Sequence, residues 1–445
     1  MSWTKVSGRR WERPLDGLES YFAITARITG GLCNGREHYT LFSRIKLQLK
    51  LQDAEACLRR AWQQLRHEQP QLATTVEDLK KVYEVPDEAA LKEWLTATFI
   101  VSPASDAAGL HQVVTDKPIR QSTMYYLPKS SELVFRGHHQ NIDGTGVLLL
   151  WHCYLSALAS PTKDIRFGDE PARLAPSMGN ILGYPEQPTK EENDKATEIL
   201  MSWLTSIPGV GPMSKVGTAP AGKCQNTEVV LPDRTTAALV QGCKDKGVTV
   251  TAAVHAAYIA AIVKHAASDS KLSEYVSMNQ FNLRSYLPEP YSSSKHAVSV
   301  YYTPLPYKIN LPVSFWGTAR SLHEYYQNSF RKNPELLQLK DYYMRSVCDI
   351  IQTPEFLTSP VPRDALISSL GIAERYVQRE YGDGIEVQDL DLGVDVILGM
   401  SMLFLYTFRD QLRLVYSFND GYEEPQDIQM YLEDMQNILA QELLE

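Results

Sequence analysis

The sequence has few of the features by which several common protein classes are recognised. Its six cysteines are scattered among 445 residues without the spacing of a disulfide framework, which is typical of reduced thiols in an intracellular protein. The longest apolar stretch, Val394 to Phe408, is shorter than the ~20 residues that a membrane-spanning helix needs. The N-terminal residues lack the apolar core of a signal peptide. These absences favour a soluble, cytoplasmic protein without a membrane association.

Basic residues are outnumbered by acidic ones, 44 to 53. The formal net charge is −9, which argues against nucleic-acid binding through a general basic field. The sequence contains no Cys-x-x-Cys or His-Glu-x-x-His pattern of the kind that marks zinc sites. It also lacks the Gly-x-Ser-x-Gly elbow on which many hydrolases carry a nucleophilic serine. Any catalytic group must therefore be sought in a different pattern.

The most informative segment is residues 136–146, Arg-Gly-His-His-Gln-Asn-Ile-Asp-Gly-Thr-Gly. Before it, Glu132 to Arg136 predicts a strand, and after it, the apolar run from Val147 to Leu158 predicts a buried helix. The two adjacent histidines therefore lie where a strand ends in a glycine-containing loop ahead of a helix. Such a place is rigid enough to hold chemical groups in a fixed geometry.

Adjacent residues at the end of a strand point to opposite faces, so only one of His138 and His139 can face a given cavity. An imidazole has an ordinary pKa of about 6.5 and can take and return a proton near neutral pH. Asp143 can form an ion pair that fixes the loop, and Gly144 allows a close approach of backbone or ligand. Two other interpretations stay open: histidines that only pack within the fold, and a zinc site, which diverging side chains disfavour.

The spacing His-His-x-x-x-Asp-Gly resembles the signature of the CoA-dependent acyltransferases. That superfamily includes the plant BAHD acyltransferases, the condensation domains of nonribosomal peptide synthetases and the fungal alcohol acetyltransferases. Four further segments resemble it in the expected order along the chain: Trp11 to Phe22, Leu58 to Val76, Val248 to Val263 and Asn282 to Pro288. The first of them, and the stretch from Thr407 to Tyr422, are similar to the fungal trichothecene O-acetyltransferase branch. The plant segment Asp-Phe-Gly-Trp-Gly is missing, and its nearest counterpart, Asp389 to Asp395, has no tryptophan.

The resemblance implies an α/β fold with two similar chloramphenicol-acetyltransferase-like lobes, each a mixed sheet with flanking helices, around a central tunnel. We expect an N-terminal lobe with the motif over residues 1–175, a crossover linker over 176–225, and a C-terminal lobe over 226–445. The linker region is rich in proline and contains one predicted helix, from about Glu191 to Ser206.

Several local elements can be predicted from the residues alone. Asp53 is a plausible N-cap for a helix that ends near Pro70, and Thr249 or Thr251 can cap the helix that runs to Val263. The apolar residues around 394–418 predict two buried strands joined at Arg409 and Asp410. An amphipathic helix is expected at the C-terminus, within residues 422–445.

The resemblance also implies a mechanism in which His139, Asp143 and Gly144 form the catalytic group. His139 would act as general base on an acceptor hydroxyl, whose oxygen attacks a thioester carbonyl directly. No acyl-enzyme is needed, so no nucleophilic serine or cysteine is required. His138 would hold the loop, and Asp143 would act as the structural partner of Arg284.

Substrate or cofactor contacts are predicted only by position. Those residues are Asn282, Tyr301, Tyr416 and Asn419, for which ordinary strand or turn roles stay open. The implied partners are a small-molecule alcohol acceptor and acetyl-CoA or another acyl-CoA as donor, with no permanently bound cofactor, no metal and a monomeric protein.

The leading prediction is thus an O-acyltransferase of fungal secondary metabolism. One alternative is a condensation-type enzyme that takes its acyl group from a carrier protein. That carrier would act in trans, because the chain has no Gly-Gly-x-Ser-like attachment segment. A second alternative is a former transferase that binds a small molecule, or catalyses a rearrangement, without CoA.

Overall fold

The computed structural model describes residues 2–215, 221–266, 273–358 and 366–444. The strands, numbered in chain order, are β1 (Thr4–Lys5), β2 (Arg10–Pro14), β3 (Thr40–Leu49), β4 (Thr75–Glu77), β5 (Lys80–Glu84), β6 (Phe99–Val101), β7 (Thr123–Leu127), β8 (Glu132–His138), β9 (Cys224–Leu231), β10 (Glu274–Asn282), β11 (Tyr302–Asn310), β12 (Leu366–Ile372), β13 (Glu380–Tyr381), β14 (Ile385–Asp395), β15 (Met402–Phe408) and β16 (Gln411–Asn419).

The α-helices, also numbered in chain order, are α1 (Gly17–Leu32), α2 (Ala54–Glu68), α3 (Glu88–Thr98), α4 (Ala107–Val114), α5 (Gly144–Ala159), α6 (Met178–Ile181), α7 (Lys190–Leu204), α8 (Asp233–Asp245), α9 (Val250–Lys264), α10 (Phe315–Lys332), α11 (Leu336–Ile350), α12 (Pro354–Thr358) and α13 (Pro425–Leu444).

The chain forms two compact units, and each is assembled from several stretches of sequence. Unit 1 contains Met1–Gln187, Asn282–Tyr302 and Ala373–Val394. Unit 2 contains the three remaining stretches, which are Pro188–Phe281, Thr303–Ile372 and Asp395–Glu445. The C-terminal half of the chain therefore supplies two segments to the unit that carries the histidine motif.

Unit 1 is built around a six-stranded sheet with the order β13-β14-β3-β8-β7-β6. The sheet is mixed, because β6 runs parallel to β7 whereas β7 and β3 are both antiparallel to β8. The helices α2 and α5 pack together against it. Trp151 of α5 donates a hydrogen bond to Ser43 of β3 (2.8 Å), and Trp62 of α2 lies edge-on to Phe135 of β8. These contacts place the helix that follows the motif on the sheet that precedes it.

A second sheet of unit 1 has the order β1-β2-β5-β4. It is linked to the start of α1 by charged side chains that are almost fully buried. Arg13 of β2 donates to both carboxylate oxygens of Glu19 on α1, each at 2.7 Å, and Lys81 of β5 donates to one of them at 2.6 Å. Asp16 and Glu19 also form a reciprocal capping box at the helix start. The first turn of α1 is therefore held from two strands.

Unit 2 contains a four-stranded mixed sheet with the order β12-β15-β16-β9, in which β12 is parallel to β15. The strands β15 and β16 are joined by Arg409 and Asp410, which have positive φ angles of 50° and 62°, as a tight hairpin turn requires. The alanine-rich helix α9 packs against α10 and α13. Among the described residues, no single helix is long and apolar enough to cross a membrane; α8 and α9, bent by 99°, pass that test only as a pair.

Most of the elements expected from the sequence are confirmed. Each unit contains a mixed sheet with helices, and the predicted N-caps Asp53 and Thr249 cap α2 and α9 with their side chains. The division of the chain differs from the predicted one. The first stretch of unit 1 continues to Gln187, and α7, within the predicted linker, belongs to unit 2. Residues 216–220 of that linker lie outside the described residues.

Candidate active site

The two motif histidines leave the sheet one after the other. His138 is the last residue of β8 and pairs with Thr40 of β3. The strand ends there because the carbonyl of His138 accepts a hydrogen bond from the N–H of Asn141 at 3.0 Å, which closes a turn through His139. His139 was expected at the end of the strand, but it is the first residue of this turn. The two side chains therefore point in different directions because of this turn as well as because of strand alternation.

Asp143 begins the helix that follows. Its carboxylate oxygen Oδ1 accepts from the N–H of Gly146 at 2.7 Å, which makes it the N-cap of α5. Its other oxygen, Oδ2, accepts from the N–H of Tyr301 at 2.8 Å. Gly144, predicted as part of the catalytic group, is the first residue of α5 and lies next to this cap.

The predicted ion pair between Asp143 and Arg284 is present. Nη1 of Arg284 lies 2.9 Å from each oxygen of Asp143, and the two side chains are only 4% and 3% exposed. With the two backbone donors included, four contacts use the four acceptor positions of the carboxylate. Asp143 therefore has no remaining acceptor for His139, and its position supports the structural role that the sequence predicted.

Arg284 also ties the segment from Asn282 to Tyr302 to the motif. Its Nη2 donates to Oγ of Ser299 at 3.1 Å, and the carbonyl of Ser299 accepts from the N–H of Asp143 at 3.1 Å. The side chain of Asn282 accepts from the N–H of Arg284 at 3.1 Å. Asp143 and Arg284 are thus two members of a small network that joins stretches distant in sequence.

Gly146 has a role that the motif spacing does not indicate. A Cβ at this position would lie 2.5 Å from the carbonyl oxygen of Ala297 and 3.2 Å from Nη2 of Arg284. Only glycine therefore lets α5 approach the segment that carries the arginine. The glycine itself could have indicated this role. A glycine within a helix costs about 1 kcal/mol relative to alanine, and such a residue often marks close packing.

His139 lies in an aromatic environment. Its imidazole stacks on the ring of Phe22, with centroids 4.0 Å apart and planes 6° apart. Tyr39 lies edge-on to it at 6.4 Å, and Tyr302 is tilted beside it at 5.8 Å. Nδ1 of His139 is buried and has no hydrogen-bond partner among the residues that the structure describes. Burial lowers the pKa of His139 to about 4, so the ring is neutral at pH 7 and can accept a proton.

His138 has a different environment. Its Nδ1 lies 2.9 Å from a carboxylate oxygen of Glu37, and its side chain is 11% exposed. This contact connects the end of β8 to the loop between α1 and β3, which agrees with a role in holding the motif. Adjacent histidines thus have contrasting partners: a carboxylate for His138 and aromatic rings for His139.

The residues predicted by position to contact substrates have other partners in the structure. The hydroxyl of Tyr301 donates to the carbonyl of Pro176 at 3.1 Å, and its side chain is buried. Tyr416 and Asn419 belong to unit 2 and are fully buried. The hydroxyl of Tyr416 is hydrogen-bonded to the hydroxyls of Tyr258 and Ser401. The side-chain amide of Asn419 forms hydrogen bonds with backbone groups and donates to the carbonyl of Val396 at 2.9 Å. These contacts favour structural roles for all three side chains; Asn282, in contrast, is exposed.

One group of potential metal ligands occurs in the part of the chain that the structure describes, and it lies outside the motif. It consists of His67, Asp169 and Glu170. The guanidinium of Arg173 lies 3.0 Å from Nε2 of His67 and also donates to Asp169. Arg173 thus already occupies His67 and Asp169, while Glu170 accepts from the hydroxyl of Tyr83 at 2.8 Å, so each member of the cluster has a protein partner.

The sequence is similar along its whole length to curated fungal proteins. It is 28% identical to the acetyltransferase pigO of Monascus ruber over 100% of this chain and 98% of that protein. It is 27% identical to the O-acetyltransferase pigM of the same fungus over 100% of this chain and 87% of that protein. No protein-family model matches the chain.

Solved structures share the fold. The trichothecene 15-O-acetyltransferase from Fusarium sporotrichioides superposes with a TM-score of 0.84 at 18% identity, over 98% of this chain and 97% of that one. The condensation domain of the monacolin K polyketide synthase MokA superposes with a TM-score of 0.67 at 12% identity, over 100% and 99% of the two chains. The chain is therefore similar throughout its length to fungal acetyltransferases, and it has the α/β fold of the trichothecene 15-O-acetyltransferase and of condensation domains.

Proposed function

We propose that this protein is an O-acyltransferase that moves an acetyl or longer acyl group from a CoA thioester to a hydroxyl of a fungal secondary metabolite. The observation that carries the proposal is the environment of His139. Its lowered pKa makes the ring neutral at pH 7, whereas the neighbouring carboxylate of Asp143 is fully occupied by Arg284 and two backbone donors. The similarity to two fungal acetyltransferases supports the same reaction class.

In the proposed reaction, His139 takes the proton of the acceptor hydroxyl through Nε2, because Nδ1 is buried. The oxygen attacks the thioester carbonyl and forms a carbon–oxygen bond. The carbon–sulfur bond then breaks, and the imidazolium returns the proton to the leaving thiolate. The products are an ester and CoA with a free thiol, and His139 is neutral again.

Asp143 has an indirect role in this proposal. Its contacts with Arg284 and the N-terminus of α5 fix the end of the turn that begins at His139. All four acceptor positions of this carboxylate are already used, so none is left for a substrate hydroxyl or for His139. The chemical step is therefore assigned to His139, and the geometry of the loop to Asp143 and Arg284.

The experiment that tests the function measures release of CoA and formation of acylated products by mass spectrometry. Wild type, His139→Gln and a control, His152→Gln, are incubated with acyl-CoA donors of increasing length and a pool of hydroxylated fungal polyketides. His152 is a suitable control because it lies half-buried on α5 and bonds to the hydroxyl of Tyr381. We expect His139→Gln to lower product formation by about 10²- to 10⁴-fold and the control to retain it.

Two outcomes would contradict the proposal. Equal turnover by folded His139→Gln and wild type would remove His139 from the mechanism. If wild type released no CoA from any donor yet transferred acyl groups from a phosphopantetheine-loaded carrier protein, the donor would be a carrier-bound thioester. Circular dichroism of each variant separates loss of chemistry from loss of fold.

A further inference from the structure

The orientation of His139 needs an explanation, since its buried Nδ1 has no hydrogen-bond partner within the described part of the chain. A catalytic imidazole is usually oriented by a carboxylate or carbonyl that accepts from one ring nitrogen. Here Nδ1 has no such partner, and the carboxylate four residues later is bound to Arg284. The contacts that remain to orient the ring are those with the aromatic side chains around it.

Phe22 makes the contact with the closest geometry. Its ring lies face to face with the imidazole at a centroid distance of 4.0 Å and an angle of 6°, and the residue is only 4% exposed. Tyr39 is edge-on to Phe22 at 5.6 Å and 88°, so it restrains the phenyl ring from the side. A parallel ring at this distance limits rotation of the imidazole about its χ2 bond, because any large turn would push one edge into the phenyl face.

The backbone that carries Phe22 is itself firmly held. Phe22 lies one helical turn after Glu19, whose carboxylate binds Arg13 and Lys81 and closes the capping box with Asp16. These side chains are 2–4% exposed. An ion cluster buried to this degree resists rearrangement, because moving one member would leave a charge without a partner. The segment from Trp11 to Phe22 thus ends in a ring whose position is fixed.

We propose that Phe22 is a positioning residue for the general base: its ring fixes the plane of the His139 imidazole so that Nε2 points to the acceptor hydroxyl. This inference rests on the proposed function for its effect on catalysis, but the stacking itself can be tested without any substrate. The buried ion cluster of Arg13, Glu19 and Lys81 supports the arrangement from the start of α1.

The test compares Phe22→Leu, which removes the aromatic face, with Phe22→Tyr, which keeps it. The matched control is Phe42→Leu, because Phe42 is 5% exposed and lies edge-on to another histidine of unit 1, His111, at 4.6 Å. We expect Phe22→Leu to lower kcat by about 10- to 100-fold with little change in KM, as a misplaced catalytic group does. Phe22→Tyr and Phe42→Leu should both retain kcat.

The second readout is the NMR spectrum of ring-labelled histidine, with His139→Gln used to assign the signals of His139. Stacking on a phenyl face shifts the ring protons of His139 upfield, and Phe22→Leu should abolish that shift while Phe22→Tyr keeps it. The pKa of His139 should rise towards its ordinary value in Phe22→Leu, because a smaller side chain admits water beside the ring.

The two readouts separate failure of the inference from failure of the proposed function. An unchanged kcat in Phe22→Leu, or an equal loss in Phe42→Leu, overturns the positioning role even if His139 is essential. If His139→Gln keeps full activity, the proposed role of His139 as general base fails, whereas the NMR comparison still shows whether Phe22 orients the ring. Unchanged His139 signals in Phe22→Leu overturn the stacking.

Discussion

Nη1 of Arg284 lies 2.9 Å from both carboxylate oxygens of Asp143, although the two residues are 141 positions apart in sequence. Both side chains are almost completely buried. Such a pair joins two distant stretches of chain at the point where the motif loop becomes α5. Removing one partner leaves the other charge buried and uncompensated, which costs more than the pair itself contributes.

We therefore expect Asp143→Ala to lower the free energy of unfolding by about 3–5 kcal/mol, with activity and stability lost together. Urea unfolding followed by tryptophan fluorescence measures the change. An exposed ion pair gives the control: Asp194→Ala, which breaks the contact of Asp194 with Lys190 on α7, should cost no more than about 0.5 kcal/mol.

The double variant Asp143→Ala/Arg284→Met adds a further comparison. An apolar side chain leaves no unpaired charge, so the double variant should be more stable than Asp143→Ala. A fully stable but inactive Asp143→Ala would contradict the structural role and assign the carboxylate to the chemistry.

Gly146 provides a prediction about backbone packing. Alanine at this position places a Cβ 2.5 Å from the carbonyl oxygen of Ala297, and a backbone atom cannot move aside cheaply. We expect Gly146→Ala to destabilise the protein by about 1–3 kcal/mol, the usual cost of overpacking. Gly179 of α6 is a good control because an added Cβ would meet nothing within 4 Å. Thermal melts should show Gly179→Ala unchanged or slightly more stable, and equal melting temperatures for the two variants would refute the close approach.

The sequence contained enough information to predict the local elements of this fold. Hydrophobic patterns and N-caps located α2, α9 and the C-terminal helix, and Arg409 with Asp410 marked the turn between β15 and β16. These features depend on neighbouring residues and therefore appear in short windows of sequence.

The assembly of the units could not be predicted in the same way. The segment from Asn282 to Tyr302 joins unit 1 through hydrogen bonds to Asp143 and Gln69, and β14 joins the sheet of unit 1 beside β3. Nothing in a local pattern states which sheet a strand enters or which distant side chain completes a hydrogen-bond network. The predicted division into consecutive lobes assigns both of these segments to the C-terminal lobe, whereas in the structure they belong to unit 1.

The candidate site could be predicted only in part, because only some of its residues belong to a local sequence motif. The motif and its resemblance to a known superfamily indicated His139, Asp143 and the arginine partner. The contact between Phe22 and His139 joins residues more than a hundred positions apart, and the need for glycine at position 146 arises from the carbonyl of Ala297. Both depend on tertiary packing, which the spacing of residues does not encode.

The pKa of His139 leads to a prediction for the pH dependence of catalysis. Burial lowers this pKa to about 4 from an ordinary value of 6.5, so the base form persists through mildly acidic pH. We expect the acid limb of kcat/KM to fall near pH 4 rather than near pH 6.5, and rates measured between pH 3.5 and 8 test this. A limb centred at about 6.5 would mean that the free ring is exposed to water.

The lowered pKa of His139 also makes the stability of the protein depend on pH. Between pH 4 and 6.5 the unfolded chain binds a proton on His139 that the folded protein does not, so this residue makes stability decrease as pH falls through that range. His139→Gln should remove this contribution. A variant whose stability falls as steeply as that of wild type would show that other groups control the acid response.

Glu423 of unit 2 should make stability depend on pH in the opposite direction to His139. Its side chain is buried, Oε1 accepts from Oγ of Ser401 at 3.2 Å, and Oε2 has no hydrogen-bond partner within the described ranges of the chain. Burial raises its pKa from 4.5 to about 8, so the folded protein keeps a proton that the unfolded chain releases. Stability contributed by the protonated group is therefore complete below about pH 4.5 and is lost as pH rises towards and through 8.

Glu423→Gln should mimic the protonated carboxyl and remove this dependence. Urea unfolding at pH 5 and pH 8 measures this dependence. The free energy of unfolding of wild type should be lower at pH 8 than at pH 5, and the decrease should be smaller in Glu423→Gln. The exposed Glu433 on α13 accepts a hydrogen bond from Gln429, and Glu433→Gln serves as the control because it changes the charge equally outside the core. If Glu433→Gln flattened the pH dependence as much as Glu423→Gln, net charge rather than the buried proton would be the cause. If neither variant changed it, Glu423 would be ionised in the folded protein, and the carboxylate would require a donor near Oε2 to stabilise its charge.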